Sequence, residues 1–266
     1  MSSWPVPRLT PKCSKADADK AGRRAAVAID LHVLGDNFPV RTEDGGAAYS
    51  RNSRRPLVPG VLHSLPPVSR SLIIVNVLLF AAELVLGDGL TLRLALWPIQ
   101  SGSFSASFPS FQPWQLLTYG FLHSGGWHLF VNMFAVFMFG GQLERLWGPK
   151  RFLNLYLVSV IVAGAAQLSV AALASFDPYP TIGASGGVFG LLLAYAMYFP
   201  NRTIVLLIPP IPMPAWLFVT LYGAFELYLG VTGTQAGVAH FAHLGGMAGA
   251  WLMIQYWRGR PPFGRK

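Results

Sequence analysis

Six stretches of this chain stay apolar over about the length a helix needs to cross a bilayer, and that repetition limits the fold more than any other feature. They run over about 71–87, 126–143, 152–172, 183–199, 213–230 and 238–257. The fourth is short and carries Gly183, Gly186, Gly187 and Gly190. The fifth cannot start sooner, because Pro209, Pro210, Pro212 and Pro214 block a helix there. Hydrophobic residues make up 53% of the chain and charged residues 12%, where a soluble domain carries about 25% charge. The expectation is an all-α polytopic membrane protein built as a six-helix transmembrane bundle.

Charge orients the bundle. Arg51, Arg54, Arg55 and Arg70 precede the first span, and Arg145, Lys150 and Arg151 lie between the second and third. Arg202 lies between the fourth and fifth, and Arg258, Arg260, Arg265 and Lys266 follow the sixth. The opposite loops carry only Arg93. Lys/Arg excess marks the cytoplasmic side, so both termini are expected there. The net charge of +9 does not describe a nucleic-acid binder, since its positive residues are scattered over a polar tail and short loops. Cys13 is the one cysteine, so an internal disulfide and a thiolate metal site are both out.

Three regions follow. Residues 1–66 form a polar cytoplasmic tail, rich in Gly, Ser, Pro, Arg and Asp without apolar periodicity, which is expected to be disordered. Its start does not read as a signal peptide, because no apolar core follows a short basic segment. After Met1 the next methionine is Met133, which suggests a translational start nearer Val58 or Val61. Residues 67–258 form the six-span domain, and 259–266 a basic cytoplasmic tail. The first outer loop, about 88–113, carries Trp97, Phe104, Phe108 and Phe111 and is expected to sit partly in the outer interface.

Polar residues then pick out one place. Even-numbered spans enter from the outer side, so His128, Ser185 and His243, each near the start of such a span, lie at similar depth. Asn132 follows His128 by four residues and shares its helical face. Polar groups in hydrocarbon are costly and mark function by default. The pairs Gly183/Gly187, Gly186/Gly190, Ala242/Gly246 and Gly245/Gly249 predict close approach of spans four and six to each other. A serine hydroxyl needs an adjacent base, and His243 supplies an imidazole. A tetrahedral intermediate needs donors, which the helix N-terminus at Ser185, His128 and Asn132 offer. Among carboxylates, Glu144 belongs at the cytoplasmic end, while Glu83 and Glu226 at outer ends could in principle orient His243, with structural roles favoured for both. That leaves a Ser–His dyad, with no metal and no cofactor called for.

At these residues the chain resembles the rhomboid family of intramembrane serine proteases. The resemblance is carried by His128-Leu-Phe-Val-Asn132, Gly183-Ala-Ser185-Gly186 and Ala242-His243-Leu-Gly-Gly246 on spans two, four and six, and covers about 65–257. Gly140-Gly-Gln-Leu-Glu144-Arg145 also resembles the signature that closes span two in that family. The resemblance implies Ser185 as nucleophile, His243 as general base, and His128 and Asn132 as oxyanion-stabilising groups. It implies transmembrane protein substrates cut near the outer face, and span five with its following loop as a gate. It also implies the six-span bacterial form, resident in the inner membrane.

Three other readings carry less. A soluble hydrolase elbow also has the pattern Gly183-x-Ser185-x-Gly187, but it needs a preceding strand, and Asp177-Pro-Tyr-Pro-Thr precedes it here. A catalytically silent rhomboid-like binding protein is the alternative in function, disfavoured by the presence of both Ser185 and His243. A haem held by pairs among His123, His128, His240 and His243 is a third. Zinc and aspartyl intramembrane proteases lack support, with no His-Glu-x-x-His motif and no paired intramembrane aspartates. Substrate identity and oligomeric state are not legible.

Overall fold

A computed structural model describes residues 64–99, 109–174, 179–205, 210–233, 239–260 and 262, all within one compact unit, Val58–Lys266. The expectations of a disordered tail and of an internal translational start fall outside the described residues except at 64–66, where Leu65 is buried and the Ser64 carbonyl is bonded. So do the 100–108 part of the first outer loop and most of the basic C-terminal tail.

The described chain is helical apart from one short hairpin. In order it forms α1 (Pro67–Leu86), α2 (Asp88–Leu94), α3 (Gln115–Thr118), α4 (Gly126–Ala135), α5 (Gly141–Trp147), α6 (Pro149–Ala174) and α7 (Ser185–Tyr198). Strands β1 (Thr203–Val205) and β2 (Pro212–Pro214) pair antiparallel, and α8 (Ala215–Thr232) and α9 (His240–Trp257) follow. A π-helical turn, Val136–Gly140, joins α4 to α5, so the expected second span is one helix with a wide turn in its middle. Every expected span therefore coincides with a helical segment. By length and composition α1, α6 and α8 are able to cross a membrane, and α7 is apolar but only 14 residues long.

Local chemistry explains several boundaries. Pro67 opens α1, where a missing N–H costs nothing. The free N–H groups behind it are met by a distant carboxylate. Glu144 accepts from Val68 N at 2.9 Å, Ser69 N at 2.7 Å and Ser69 Oγ at 2.7 Å. Its neighbour Arg145 donates to the Ser64 carbonyl at 2.7 Å. One end of the bundle is thus tied by α5 to the start of α1, and Glu144 is buried in doing it.

The centre of the fold is the three-helix junction of α6, α7 and α9. The small residues expected to join spans four and six do so, and they also admit α6 to the junction. Gly186 and Gly246 do meet across α7 and α9, with room for no side chain between them. Gly187, Gly190, Gly245 and Gly249 face α6, against Tyr156, Ser159, Ala166 and Val162. On α6 the facing side chains range from Ser159 and Ala166 to Tyr156, a mixture that pair spacing in α7 and α9 alone does not reveal.

Around that core the packing loosens. On α8 the residues Ala215, Val219, Glu226 and Leu229 are buried, while Trp216, Leu221, Phe225, Leu227, Tyr228 and Val231 are exposed. Apolar side chains turned outward in this number suit a lipid surrounding. The buried set recurs at spacings of four, seven and three, which is one inward stripe of a helix. A glutamate on that stripe is the exception that matters below.

Candidate active site

The segment leading into α7 is held on two sides. Leu96 and Thr181 form an antiparallel bridge, with N···O distances of 3.0 and 2.9 Å, so the first outer loop pins the strand before Ser185. Gly183 N donates to the Tyr119 carbonyl at 2.9 Å, and the Tyr119 hydroxyl donates to the Val160 carbonyl of α6 at 2.7 Å. Gly183 has φ of 133°, a backbone state that disfavours any side chain. A Cβ there would also stand 2.8 Å from the His128 ring. The chain can therefore turn sharply and start α7 at Ser185 with its first N–H groups unpaired by the helix.

Ser185 Oγ lies 2.9 Å from His243 Nε2. The His243 ring stacks on Phe189, one turn after Ser185, with centroids 4.2 Å apart and planes 5° from parallel. Two neighbours thus hold the imidazole, an aromatic face on one side and the hydroxyl at its edge. His128 Nδ1 lies 3.1 Å from Ser124 Oγ, and Asn132 donates through Nδ2 to the His128 carbonyl at 2.9 Å. His128, Asn132, Ser185 and His243 line one cavity of about 910 Å³. It continues between α4 and α8, past Val131, Phe134, Phe218 and Leu221, to Val205 and Met213 of the hairpin.

The remaining histidines do different things. His123 is buried, its ring edge-on to His128 at 5.1 Å, and neither ring nitrogen has a hydrogen-bond partner. It lies in the loop before α4, and burial, reinforced by the neighbouring His128, pushes its imidazole down to about 4. Facing histidines that could clamp an iron are not the arrangement here: His243 has one nitrogen on Ser185 and the other on a carboxylate.

That carboxylate belongs to Glu226, one of the two outer-end acids that the sequence leaves able to orient His243 but favours for a structural role. Glu226 Oε2 accepts from His243 Nδ1 at 2.8 Å and from His240 Nδ1 at 2.7 Å. The spacing of His240 and His243 puts both on one face of α9, and the inward stripe of α8 brings Glu226 to them. The sequence shows only a lone acid near the outer end of an apolar span, and the stripe that aims it at α9 emerges from the burial pattern. The same three side chains bring their ligand atoms within 4.8 Å of one another and are the described residues able to hold a metal ion. Glu83, the other outer-end acid, instead accepts from the His123 backbone N–H at 3.1 Å.

The chain is similar in sequence to several known proteins. The chain is 34% identical over 127 residues to Rhomboid protein 1, mitochondrial, of Saccharomyces cerevisiae, covering 47% of this chain and 36% of that one. It is 42% identical over 79 residues to Rhomboid protease GluP of Bacillus subtilis, covering 30% and 14%. With Rhomboid protease GlpG of Yersinia pestis the identity is 25% over 195 residues, covering 72% and 62%. The chain thus spans only a minor part of the length of the first two relatives. A family model of the Rhomboid domain matches residues 110–259, more than half of the chain and every side chain of the site just described. The chain belongs to the rhomboid family and is an integral multi-pass membrane protein.

Proposed function

We propose that this protein is an intramembrane serine endopeptidase in which Ser185 is the nucleophile and His243 the general base. The observation that carries the reading is the 2.9 Å approach of Ser185 Oγ to His243 Nε2 at the wall of a cavity open between two helices. Oγ attacks the scissile carbonyl carbon while its proton passes to Nε2. The resulting oxyanion is met by backbone N–H groups at the start of α7 and by the side chains of His128 and Asn132. Nε2 then returns the proton to the leaving amine, and the peptide's N-terminal part remains as an ester on Ser185. Water, deprotonated by His243, releases it.

The substrate class follows from depth. We read six crossings with both termini cytoplasmic, on the Lys/Arg asymmetry of the loops, and a bacterial inner membrane as the site that resemblance to the six-span bacterial form implies. A helix of 14 residues is about 21 Å long, against about 30 Å of hydrocarbon. With its end near the cytoplasmic surface, α7 starts Ser185 roughly 9 Å below the outer edge of the hydrocarbon. A peptide bond reaching that level belongs to a transmembrane protein unwound near its outer end. The apolar cavity walls from α4 and α8 favour lateral arrival from the bilayer, with α8, which buries Ala215, Val219, Glu226 and Leu229 and turns most of its other apolar side chains outward, as the moving side.

Reconstitution tests this. In proteoliposomes with a single-span substrate, the wild-type chain should cut near the outer face, and Ser185→Ala should leave the substrate intact. Substrate captured but never cut by the wild-type protein would replace the protease with a silent binding protein.

A further inference from the structure

We infer that Glu226 is a positioning residue that completes a Ser185–His243–Glu226 relay, with His240 holding its carboxylate in place. The inference rests on the protease reading and adds a third member to its machinery. Glu226 is a carboxylate inside an apolar helix, its side chain 5% exposed, and among the described residues no Lys or Arg pairs with it. An acid in such a place is expensive and marks function with its partner named. Its partners here are two imidazole N–H groups on one oxygen, Oε2, at 2.7 and 2.8 Å. Hydrogen bonds to an ionised acceptor are the strong kind.

The direction of those bonds has a chemical result. An imidazole that donates through Nδ1–H to Glu226 carries its lone pair on Nε2, the atom facing Ser185 Oγ. Glu226 therefore selects the tautomer able to take the serine proton and turns the ring toward it. When Nε2 gains that proton, the positive ring sits beside a fixed negative oxygen. Glu226 itself keeps no proton through the cycle: the proton moves from Oγ to Nε2 and on to the leaving amine. His240 is buried and bonds the same oxygen, so it fixes where Oε2 points and touches no reacting atom. Phe189, stacked on the ring, restrains its tilt but selects neither nitrogen.

A graded series tests this in proteoliposomes, with Ser185→Ala as the control for the reaction itself. Glu226→Gln keeps an acceptor for Nδ1–H without the charge, and Glu226→Leu removes both. Gln should lower kcat by roughly 10²- to 10⁴-fold with KM within about threefold of wild type, the upper end matching loss of the charged acid in a soluble triad. Leu should fall further. The rate of Ser185 phosphonylation by a fluorophosphonate should drop in the same order, while the melting temperature of the Gln variant stays within a few degrees of wild type. His240→Gln should reduce kcat less than Glu226→Gln does.

Wild-type kcat and labelling rate in Glu226→Gln would overturn the relay while leaving the protease reading intact. So would a loss that tracks melting temperature, with KM rising as kcat falls, since that is a purely structural tie between α8 and α9. Protein purified with one stoichiometric metal ion that Glu226→Gln loses would also overturn it, because a metal takes the place of both Nδ1 protons. Retained cleavage in Ser185→Ala is a different failure and strikes the protease reading itself.

Discussion

Gly186 follows Ser185 and packs where α7, α6 and α9 cross, so a single methyl group there tests whether packing sets catalytic geometry. In Gly186→Ala the new Cβ stands 2.5 Å from the Ala163 Cβ and 3.2 Å from the Tyr119 hydroxyl. Carbon atoms rest at about 3.5–4.0 Å, so α7 and α6 must part by about 1 Å. Overpacking of this sort costs about 1–3 kcal/mol of stability. The greater effect falls on Ser185, whose Oγ moves with the helix and stretches its 2.9 Å contact with His243. A misplacement of about 1 Å costs about 10²-fold in rate. Single-turnover cleavage in proteoliposomes, normalised to folded protein by thermal unfolding, measures both numbers. A Gly186→Ala protein that melts like wild type and cuts at the wild-type rate would refute the link between this junction and the site.

Further outcomes follow from other contacts. Glu144→Ala strips three hydrogen bonds from the start of α1, two of them to buried Ser69. At about 1–3 kcal/mol for each buried donor left unpaired, the protein should lose about 2–5 kcal/mol of stability, with activity per folded molecule unchanged; urea or thermal unfolding beside a cleavage assay checks this. Asn132→Ala should slow cleavage only in part, by less than the roughly 3–4 kcal/mol that one oxyanion donor supplies elsewhere, with KM steady in steady-state kinetics. His123 is held neutral by burial, its imidazole down at about 4 from an ordinary 6.5. A depressed folded value means its stabilising share is whole above the ordinary value and is lost as pH falls toward 4. Melting temperature should therefore decline across that window, and His123→Phe should flatten the decline.

Much of this architecture is legible in the sequence because its cues are local. Runs of apolar residues with glycine and proline at their ends mark each helix, and depth follows from which end of a span a residue occupies. That places His128, Asn132, Ser185 and His243 together without any knowledge of packing. Glu226 is different, since one acid in an apolar run has the same spacing whether it caps a helix, faces lipid or supports an imidazole. Only the buried stripe through Val219, Glu226 and Leu229 points it at α9, and that stripe is clear once exposure is known. The small residues of α7 and α9 are legible only in part: Gly186 and Gly246 meet as their spacing predicts, while Gly187, Gly245 and Gly249 pack on α6, a partner that spacing within α7 and α9 does not name. The bridge from Leu96 to Thr181 has no local signature at all, because it joins two irregular segments far apart in the chain.

The central claim is that the Ser185 hydroxyl is made reactive by His243 within the bilayer. Labelling the membrane-embedded protein with a fluorophosphonate, followed by peptide mapping, measures that reactivity at the atom concerned. The account predicts one label per chain, on Ser185, and its disappearance in His243→Ala protein that still melts as a folded species. A label on another residue, or a Ser185 label formed equally fast without the imidazole, would contradict it.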